Sequence, residues 1–248
     1  MNRKNFLSRS AAVAVGLAAG KPLLANMFVA PSHGESFNDA PVIINAGIGG
    51  NTTTNLLKRI DTDCLAHKPA LVIMMIGTND MVNGKHVPLD KFKENLEILC
   101  DKIQATGSKL LLLTILPFYE PYLLTRHPAE FFQPDGASAI RVKYNEVVTK
   151  VATSKKTSLL DIGSVFEKVG KVGLEPDSLI RNEANVGKTD GVHPTQNGYR
   201  FIGLAVSQFI QYNHLPTGKI VCFGDSITKG DGSADKESYP AYLSKLLS

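Results

Sequence analysis

The stretch Lys219-Ile-Val-Cys-Phe-Gly-Asp-Ser-Ile-Thr-Lys229 is the most informative part of this chain. An apolar segment with the character of a buried strand runs here directly into the turn Gly224-Asp225-Ser226. Such a turn leaves a serine hydroxyl at the carboxyl end of a strand, where open α/β sheets bind their ligands. We therefore predict that Ser226 borders a ligand site.

The rest of the chain alternates strand and helix patterns from about residue 41 onward. Short apolar runs predict strands at 42–45, 70–76, 109–116 and 158–162, in addition to the strand at 219–224. The segments between them predict helices, including 88–103, 137–153 and 195–212, while 118–135 reads as irregular. Five short strands separated by helices indicate an α/β domain with a parallel sheet and helices on both faces.

The first thirty residues have the pattern of an export signal. The basic residues Arg3 and Lys4 precede the small, apolar run 11–20, and Ala25 or Ala30 offers a cleavage point. The string Arg-Lys-x-Phe-Leu resembles a twin-arginine signal in which one arginine is replaced. We predict a leader at 1–30, a single domain at 31–248, and a periplasmic or secreted protein. An uncleaved membrane anchor is the alternative, but the apolar run is short for a bilayer.

The charge and cysteine content exclude several kinds of partner. Residues 1–25 carry four basic residues and no acidic one, which leaves 23 basic against 23 acidic residues in the remainder. Nucleic-acid binding needs a concentrated basic surface, so no nucleic-acid partner is predicted. Three cysteines at unpatterned spacing indicate neither a disulfide framework nor a zinc site.

Three residues have the chemistry of a serine hydrolase. Ser226 is the candidate nucleophile, and His193 is the candidate base because imidazole titrates near neutral pH. Asp190 lies three residues before His193, so one turn can bring its carboxylate back to the imidazole and fix the tautomer.

Developing negative charge on a substrate oxygen requires hydrogen-bond donors that are already in place. The backbone N–H groups of Ser226 and Gly50, together with the side-chain amide of Asn79, are the candidates for this oxyanion hole. Each piece alone has an ordinary explanation: a turn, a loop histidine, or a helix cap formed by Asn79-Asp80. Their joint occurrence just beyond strands or at helix entries favours a catalytic site.

Together these segments resemble the SGNH (GDSL-type) hydrolase family. The matching blocks are Gly224-Asp225-Ser226, Asn45-Ala-Gly-Ile-Gly-Gly50, Gly77-Thr78-Asn79-Asp80 and Asp190-Gly-Val-His193. The resemblance implies a three-layer α/β/α, flavodoxin-like fold with a five-stranded parallel sheet. It also implies ester hydrolysis through an acyl-enzyme, without a metal or an organic cofactor, and it gives Gly50 and Asn79 their oxyanion roles.

The order of the blocks departs from that family, because the block that is first in the family comes last here. A circular permutation, with a junction at residues 213–218, accounts for this order. It predicts that the C-terminal strand inserts between the strands at 42–46 and 71–76. The alternative is a fragment of a tandem protein in which Ser226 belongs to a second, truncated copy.

The substrate is less well specified than the chemistry. Export and a neutral body favour a carbohydrate O-acetyl esterase acting on a small-molecule or glycan ester. The alternatives are a lysophospholipase or arylesterase and a non-catalytic glycan-binding domain. Tyr119, Tyr122 and Arg126 are the candidate substrate-binding residues, since the aromatic rings can stack on a sugar and the arginine can bind an acidic group. We predict no stable membrane insertion after signal removal, and the sequence predicts no oligomeric state.

Overall fold

The sheet of this protein contains five strands in the order β1-β5-β2-β3-β4. The computed structural model describes residues 41–232 and 237–248. The strands are β1 (Val42–Gly47), β2 (Leu71–Met75), β3 (Lys109–Leu113), β4 (Ser158–Leu160) and β5 (Lys219–Gly224). Every neighbouring pair is parallel. The predicted insertion of the C-terminal strand between the first two strands is confirmed.

Helices cover both faces of this sheet. They are α1 (Thr53–Asp63), α2 (Leu89–Ala105), α3 (Glu120–Leu124), α4 (Ala137–Ser154), α5 (Ile162–Val169), α6 (Glu183–Val186), α7 (Gln196–Tyr212), α8 (Ser226–Lys229) and α9 (Tyr239–Leu247). Because side chains alternate along a strand, Val72 and Met74 pack with α1, α2 and α4, whereas Ile73 and Met75 pack with α5, α7 and α9. The sheet is thus buried between two apolar cores, which explains its continuous apolar strands.

Three elements differ from the sequence prediction. The strand predicted at 109–116 ends at Leu113. The predicted strand at 158–162 ends at Leu160, because Asp161 instead caps α5 by accepting a hydrogen bond from the Ser164 N–H at 3.2 Å. The stretch 118–135, which reads as irregular, contains the short helix α3 and a 3₁₀ turn at Ala129–Phe132.

The carboxyl edge of the sheet gathers the loops that carry the predicted site. Gly224 lies in register with Gly47 of β1 and with Met75 of β2. The helix α8 passes so close to β1 that a Cβ on Gly47 would lie 2.1 Å from the backbone nitrogen of Lys229. A glycine is therefore required at position 47, and the loops after β1, β2 and β5 meet at one place.

The predicted leader at 1–30 and the predicted start of the domain at residue 31 lie outside the described residues. Within the described ranges, no helix combines the length and the apolar character needed to cross a bilayer. The export signal and the domain boundaries stay predictions.

Candidate active site

Ser226, His193 and Asp190 lie in a continuous chain of hydrogen-bonding contacts. The Oγ atom of Ser226 is 3.0 Å from Nε2 of His193. Nδ1 of the same ring is 3.0 and 3.1 Å from the two carboxylate oxygens of Asp190. A neutral imidazole in this position donates from Nδ1 to the carboxylate and accepts the serine proton at Nε2.

The turn from Asp190 to His193 holds the carboxylate beneath the ring. Oδ1 of Asp190 accepts hydrogen bonds from the backbone N–H groups of Val192, at 3.0 Å, and His193, at 2.8 Å. Burial alone would raise the pKa of the Asp190 carboxyl, but its hydrogen bonds and the charge of His193 hold that pKa well below its usual range. Asp190 is therefore ionised at neutral pH.

Ser226 occupies the first position of α8, directly after β5. Asp225 caps this helix, since its side chain accepts a hydrogen bond from the Ile227 N–H at 2.9 Å. Asp225 is only 1% exposed, and burial raises the pKa of its carboxyl to about 7. The sequence analysis assigned no role to Asp225, although it stands inside the motif next to the serine.

The residues predicted to form an oxyanion hole lie on loops next to the serine turn. Within residues 41–232 and 237–248, the N–H groups of Ser226 and Gly50 have no protein acceptor. The Nδ2 atom of Asn79 donates to the Asn51 carbonyl at 3.0 Å and, at 3.5 Å, to a carboxylate oxygen of Asp225. Asn79 thus contacts Asn51 and Asp225, which are adjacent in sequence to Gly50 and Ser226. The long contact to Asp225 is weak, so that hydrogen can be redirected to a substrate oxygen.

Lys85 is a further polar residue at this place that the sequence analysis did not single out. Its Nζ atom donates to Oδ1 of Asn79 at 3.3 Å. A Cβ on Gly50 would lie 2.8 Å from the same ammonium nitrogen, so the charge lies beside the glycine loop. Because an ammonium group can bond only to the oxygen of the amide, this contact keeps Nδ2 of Asn79 on the side of the serine.

Arg59 of α1 joins the glycine loop to the end of the nucleophile strand. Its guanidinium donates to the carbonyl of Ala46 at 2.9 Å, to the side chain of Asn51 at 2.8 Å and to the carbonyl of Gly224 at 2.8 Å. The same group lies 4.5 Å from the ring centre of Phe223. The arginine thereby fixes the position of the Gly50 loop relative to the serine turn.

Asp80 fixes the other side of the glycine loop. Its buried carboxylate accepts from the N–H of Thr53 at 3.0 Å and from the hydroxyl of Thr53 at 2.5 Å, at the start of α1. Burial raises the pKa of Asp80 to about 6. Of the pair Asn79-Asp80, Asp80 therefore caps a helix, whereas Asn79 faces the serine.

The predicted substrate-binding residues border the turn that carries Asp190. Tyr119 donates its backbone N–H to the carbonyl of Gly191 at 2.8 Å, and its ring meets that of Tyr122 edge to face at 4.9 Å. Arg126 is exposed and donates to the carbonyl of Thr189 at 3.1 Å. By contrast, Tyr199 is fully buried, and its hydroxyl donates to the Asp231 carbonyl at 2.9 Å.

The cysteines and the acidic side chains of the described residues show neither a reactive thiol nor a metal-binding cluster. All three cysteines are free and buried, and burial raises the pKa of each thiol to about 12. Within the described part of the chain, no group of three or more His, Cys, Asp or Glu side chains is arranged to hold a metal ion.

Comparison with known proteins yields a family match. The model of the GDSL-like Lipase/Acylhydrolase family matches residues 18–201. This match includes the segments that carry Gly50, Asn79, Asp190 and His193, and it ends before Ser226.

Individual relatives cover about two thirds of the chain. An uncharacterized lipoprotein, YqeF of Bacillus subtilis (strain 168), is 30% identical over 182 residues, which cover 68% of this chain and 74% of that protein. An acetylxylan esterase of Geobacillus stearothermophilus is 29% identical over 171 residues, covering 66% and 69%. The crystal structure of Axe2, an acetylxylan esterase from Geobacillus stearothermophilus, superposes with a TM-score of 0.51 and 27% identity, covering 69% of this chain and 72% of that one.

Proposed function

This chain belongs to the GDSL-like lipase/acylhydrolase family, and on that premise we propose that it is a serine esterase that cleaves carboxylic esters through an acyl-enzyme on Ser226. The single observation that carries the proposal is the 3.0 Å contact between Oγ of Ser226 and Nε2 of His193. The fold does not depend on this contact, because backbone hydrogen bonds already hold the segments that carry Ser226 and His193. The contact therefore argues against a non-catalytic glycan-binding domain.

In the proposed reaction the Ser226 oxygen attacks the ester carbonyl carbon. Its proton passes to Nε2 of His193 while the carbonyl oxygen becomes an oxyanion. That oxyanion accepts hydrogen bonds from the N–H groups of Ser226 and Gly50 and from Nδ2 of Asn79. Asp190 remains ionised throughout and stabilises the imidazolium.

The tetrahedral intermediate then loses the alcohol. The C–O bond to the leaving group breaks, and the proton on Nε2 of His193 goes to the departing oxygen. Water attacks the resulting acyl-enzyme in the same manner, with His193 again taking the proton, so the products are a carboxylic acid, an alcohol and free Ser226.

We further propose that the substrate is an acetylated carbohydrate. Relatives that act as acetylxylan esterases support this choice. The edge-to-face pair Tyr119 and Tyr122 lies beside the Asp190 turn, where an aromatic wall can stack on a sugar ring. Export directed by residues 1–30 would bring the enzyme to glycans outside the cytoplasm.

Hydrolysis of p-nitrophenyl acetate and p-nitrophenyl octanoate by the full chain tests both proposals. Ser226→Ala should lower acetate turnover by about 1,000-fold or more, whereas Ser154→Ala, at the exposed end of α4, should leave it unchanged. Acetate turnover should exceed octanoate turnover by about tenfold. Equal activity in Ser226→Ala would refute the serine mechanism, and a preference for octanoate would refute the deacetylase assignment in favour of a lipolytic enzyme.

We also propose that the chain is a circular permutant of its family. The family match ends before Ser226, yet β5 lies between β1 and β2, and α9 lies beside β1, where Ile43, Pro240 and Ser244 line one cavity. A rearranged chain tests this: residues 219–248, a flexible Gly/Ser linker, then residues 41–212. Retained acetate turnover would support permutation. A folded rearranged chain that is inactive beside an active natural chain would contradict permutation, whereas an inactive natural chain would favour the truncated-tandem alternative.

A further inference from the structure

Arg181 is bound through its backbone to the turn that carries the proposed acid and base. Its N–H donates to the His193 carbonyl at 2.9 Å, and its carbonyl accepts from the Gly191 N–H at 2.8 Å. The adjacent pair Ile180 and Pro194 forms an antiparallel bridge. The position of Arg181 is therefore fixed relative to Asp190.

The side chain of Arg181 is also held in place. It is 11% exposed, and its Nη1 atom is 4.0 Å from Oδ2 of Asp190. The guanidinium lies against Gly232, since a Cβ there would be 1.3 Å from Nη1 and 2.4 Å from Cζ. Nε is buried and has no hydrogen-bond partner among the described residues.

The two oxygens of Asp190 have different surroundings. Oδ1 accepts from two backbone N–H groups and from the ring of His193, whereas Oδ2 meets the same ring and faces Arg181. We propose that Arg181 is a positioning residue that holds the Asp190 carboxylate in place against His193, and that its charge shapes the pH dependence of the reaction on the acid side. This inference rests on the proposed esterase function.

The direction of the effect follows from charge. A fixed cation behind the carboxylate disfavours further positive charge in the set formed by Asp190, His193 and Ser226, so loss of this cation should weaken activity on the acid side of the pH profile. Other charged or titratable groups also face this set. Asp225, Asp231 and the buried Tyr199 lie on one side, and Arg126, Glu183 and Lys188 line a cavity with Asp190 on the other. Asp231 is paired with Lys229 at 2.7 Å, which reduces its influence.

The test is the pH dependence of kcat/KM for p-nitrophenyl acetate, from about pH 5 to about pH 9, with the full chain. Arg181→Met removes the charge and keeps most of the volume. In this variant, the fall of kcat/KM on the acid side, the acid limb of the profile, should occur at a pH about half to one unit higher than in the natural chain. Arg181→Lys keeps the charge and should restore the wild-type limb. Lys150→Met, an exposed change on α4, lowers the net charge equally and should leave the limb in place.

Several outcomes would overturn the inference. An acid limb that is unchanged in Arg181→Met, or one that moves equally in Arg181→Lys, would show that the charge does not shape the acid side of the profile. If Arg181→Met does not fold, Arg181→Gln carries the same test, and failure of both neutral variants to fold would assign the guanidinium to stability alone. Failure of the esterase proposal is distinguishable, because Ser226→Ala would then be as active as the natural chain.

Discussion

Replacing Arg59 by methionine should damage both the stability of the fold and the geometry of the oxyanion hole. The substitution keeps most of the side-chain volume and removes three hydrogen bonds at 2.8–2.9 Å. It also removes the partly exposed ion pair with Asp63 at 3.2 Å, which contributes at most about 0.5 kcal/mol. The Gly224 carbonyl retains the N–H of Ile48 at 3.1 Å, and Ala46 and Asn51 are half-buried and can bind water. The loss is then about 1 kcal/mol for each hydrogen bond, or about 3 kcal/mol in total.

This loss corresponds to a fall in Tm of about 6–12 °C for a domain of this size, measured by circular dichroism. The kcat for p-nitrophenyl acetate should fall by about 10- to 100-fold, because the Gly50 N–H is no longer fixed relative to Ser226. Arg59→Lys should be intermediate, since an ammonium group cannot make three such bonds in one plane.

Arg141→Met provides the matched control for this prediction. Arg141 is also a buried arginine near the carboxyl edge, but it pairs with Glu167 and lies on the β3–β4 side of the sheet. Its loss should lower Tm without lowering kcat. A folded Arg59→Met variant with wild-type kcat would refute the idea that this arginine holds the oxyanion loop, and so would an equal loss of kcat in both variants.

Asp225→Asn should stabilise the protein increasingly as pH rises from about 4 to about 7. The pKa of Asp225 is raised in the folded state, so over this range the folded natural protein holds a proton that the unfolded chain has released. A Tm difference between the two proteins that does not change with pH would contradict this. Gly47→Ala should cost several kcal/mol, about 3 or more, in urea unfolding because of the clash with the backbone of α8. Gly218→Ala, with open space around it, should be near neutral, and similar losses in both would disprove the close-approach argument. Asp190→Asn should lower kcat by about 1,000- to 10,000-fold with a small change in KM, because His193 loses its tautomer control; steady-state kinetics showing a loss below tenfold would count against the triad.

Apolar runs mark the strands themselves, and the order of the strands could be predicted because the resemblance to the SGNH family, with its first block placed last, implies it. Ser226, His193 and Asp190 could likewise be selected, since their residue types and spacing are characteristic, and the structure brings them into contact. Their roles remain predictions until kinetics are measured. Tyr119 and Tyr122 could be selected only as part of an aromatic segment.

The supporting residues could not be predicted in the same way. Arg59 acts on backbone carbonyls of two distant segments, and carbonyls leave no signature in a sequence. Its place next to the buried residues Leu56 and Ile60 on α1 is the one local signal. Arg181 could not be selected either, because its contact with Asp190 depends on the course of the turn and on Gly232, which lies much later in the chain. Strand β4 was predicted too long because the capping preference of Asp161 outweighs the apolar run.

The central position of β5 also has a consequence for synthesis of the protein. In the described part of the chain, β5 is made after every other strand, so β1 and β2 lack their shared neighbour until residues 219–224 have left the ribosome. Pairs such as Gly47 with Gly224 join residues far apart in sequence, and such contacts form slowly. A growing chain therefore carries His193, Asp190, Gly50 and Asn79 before it has Ser226. The step that completes the sheet is the same step that supplies Ser226, so under the proposed mechanism an unfinished chain could not hydrolyse esters.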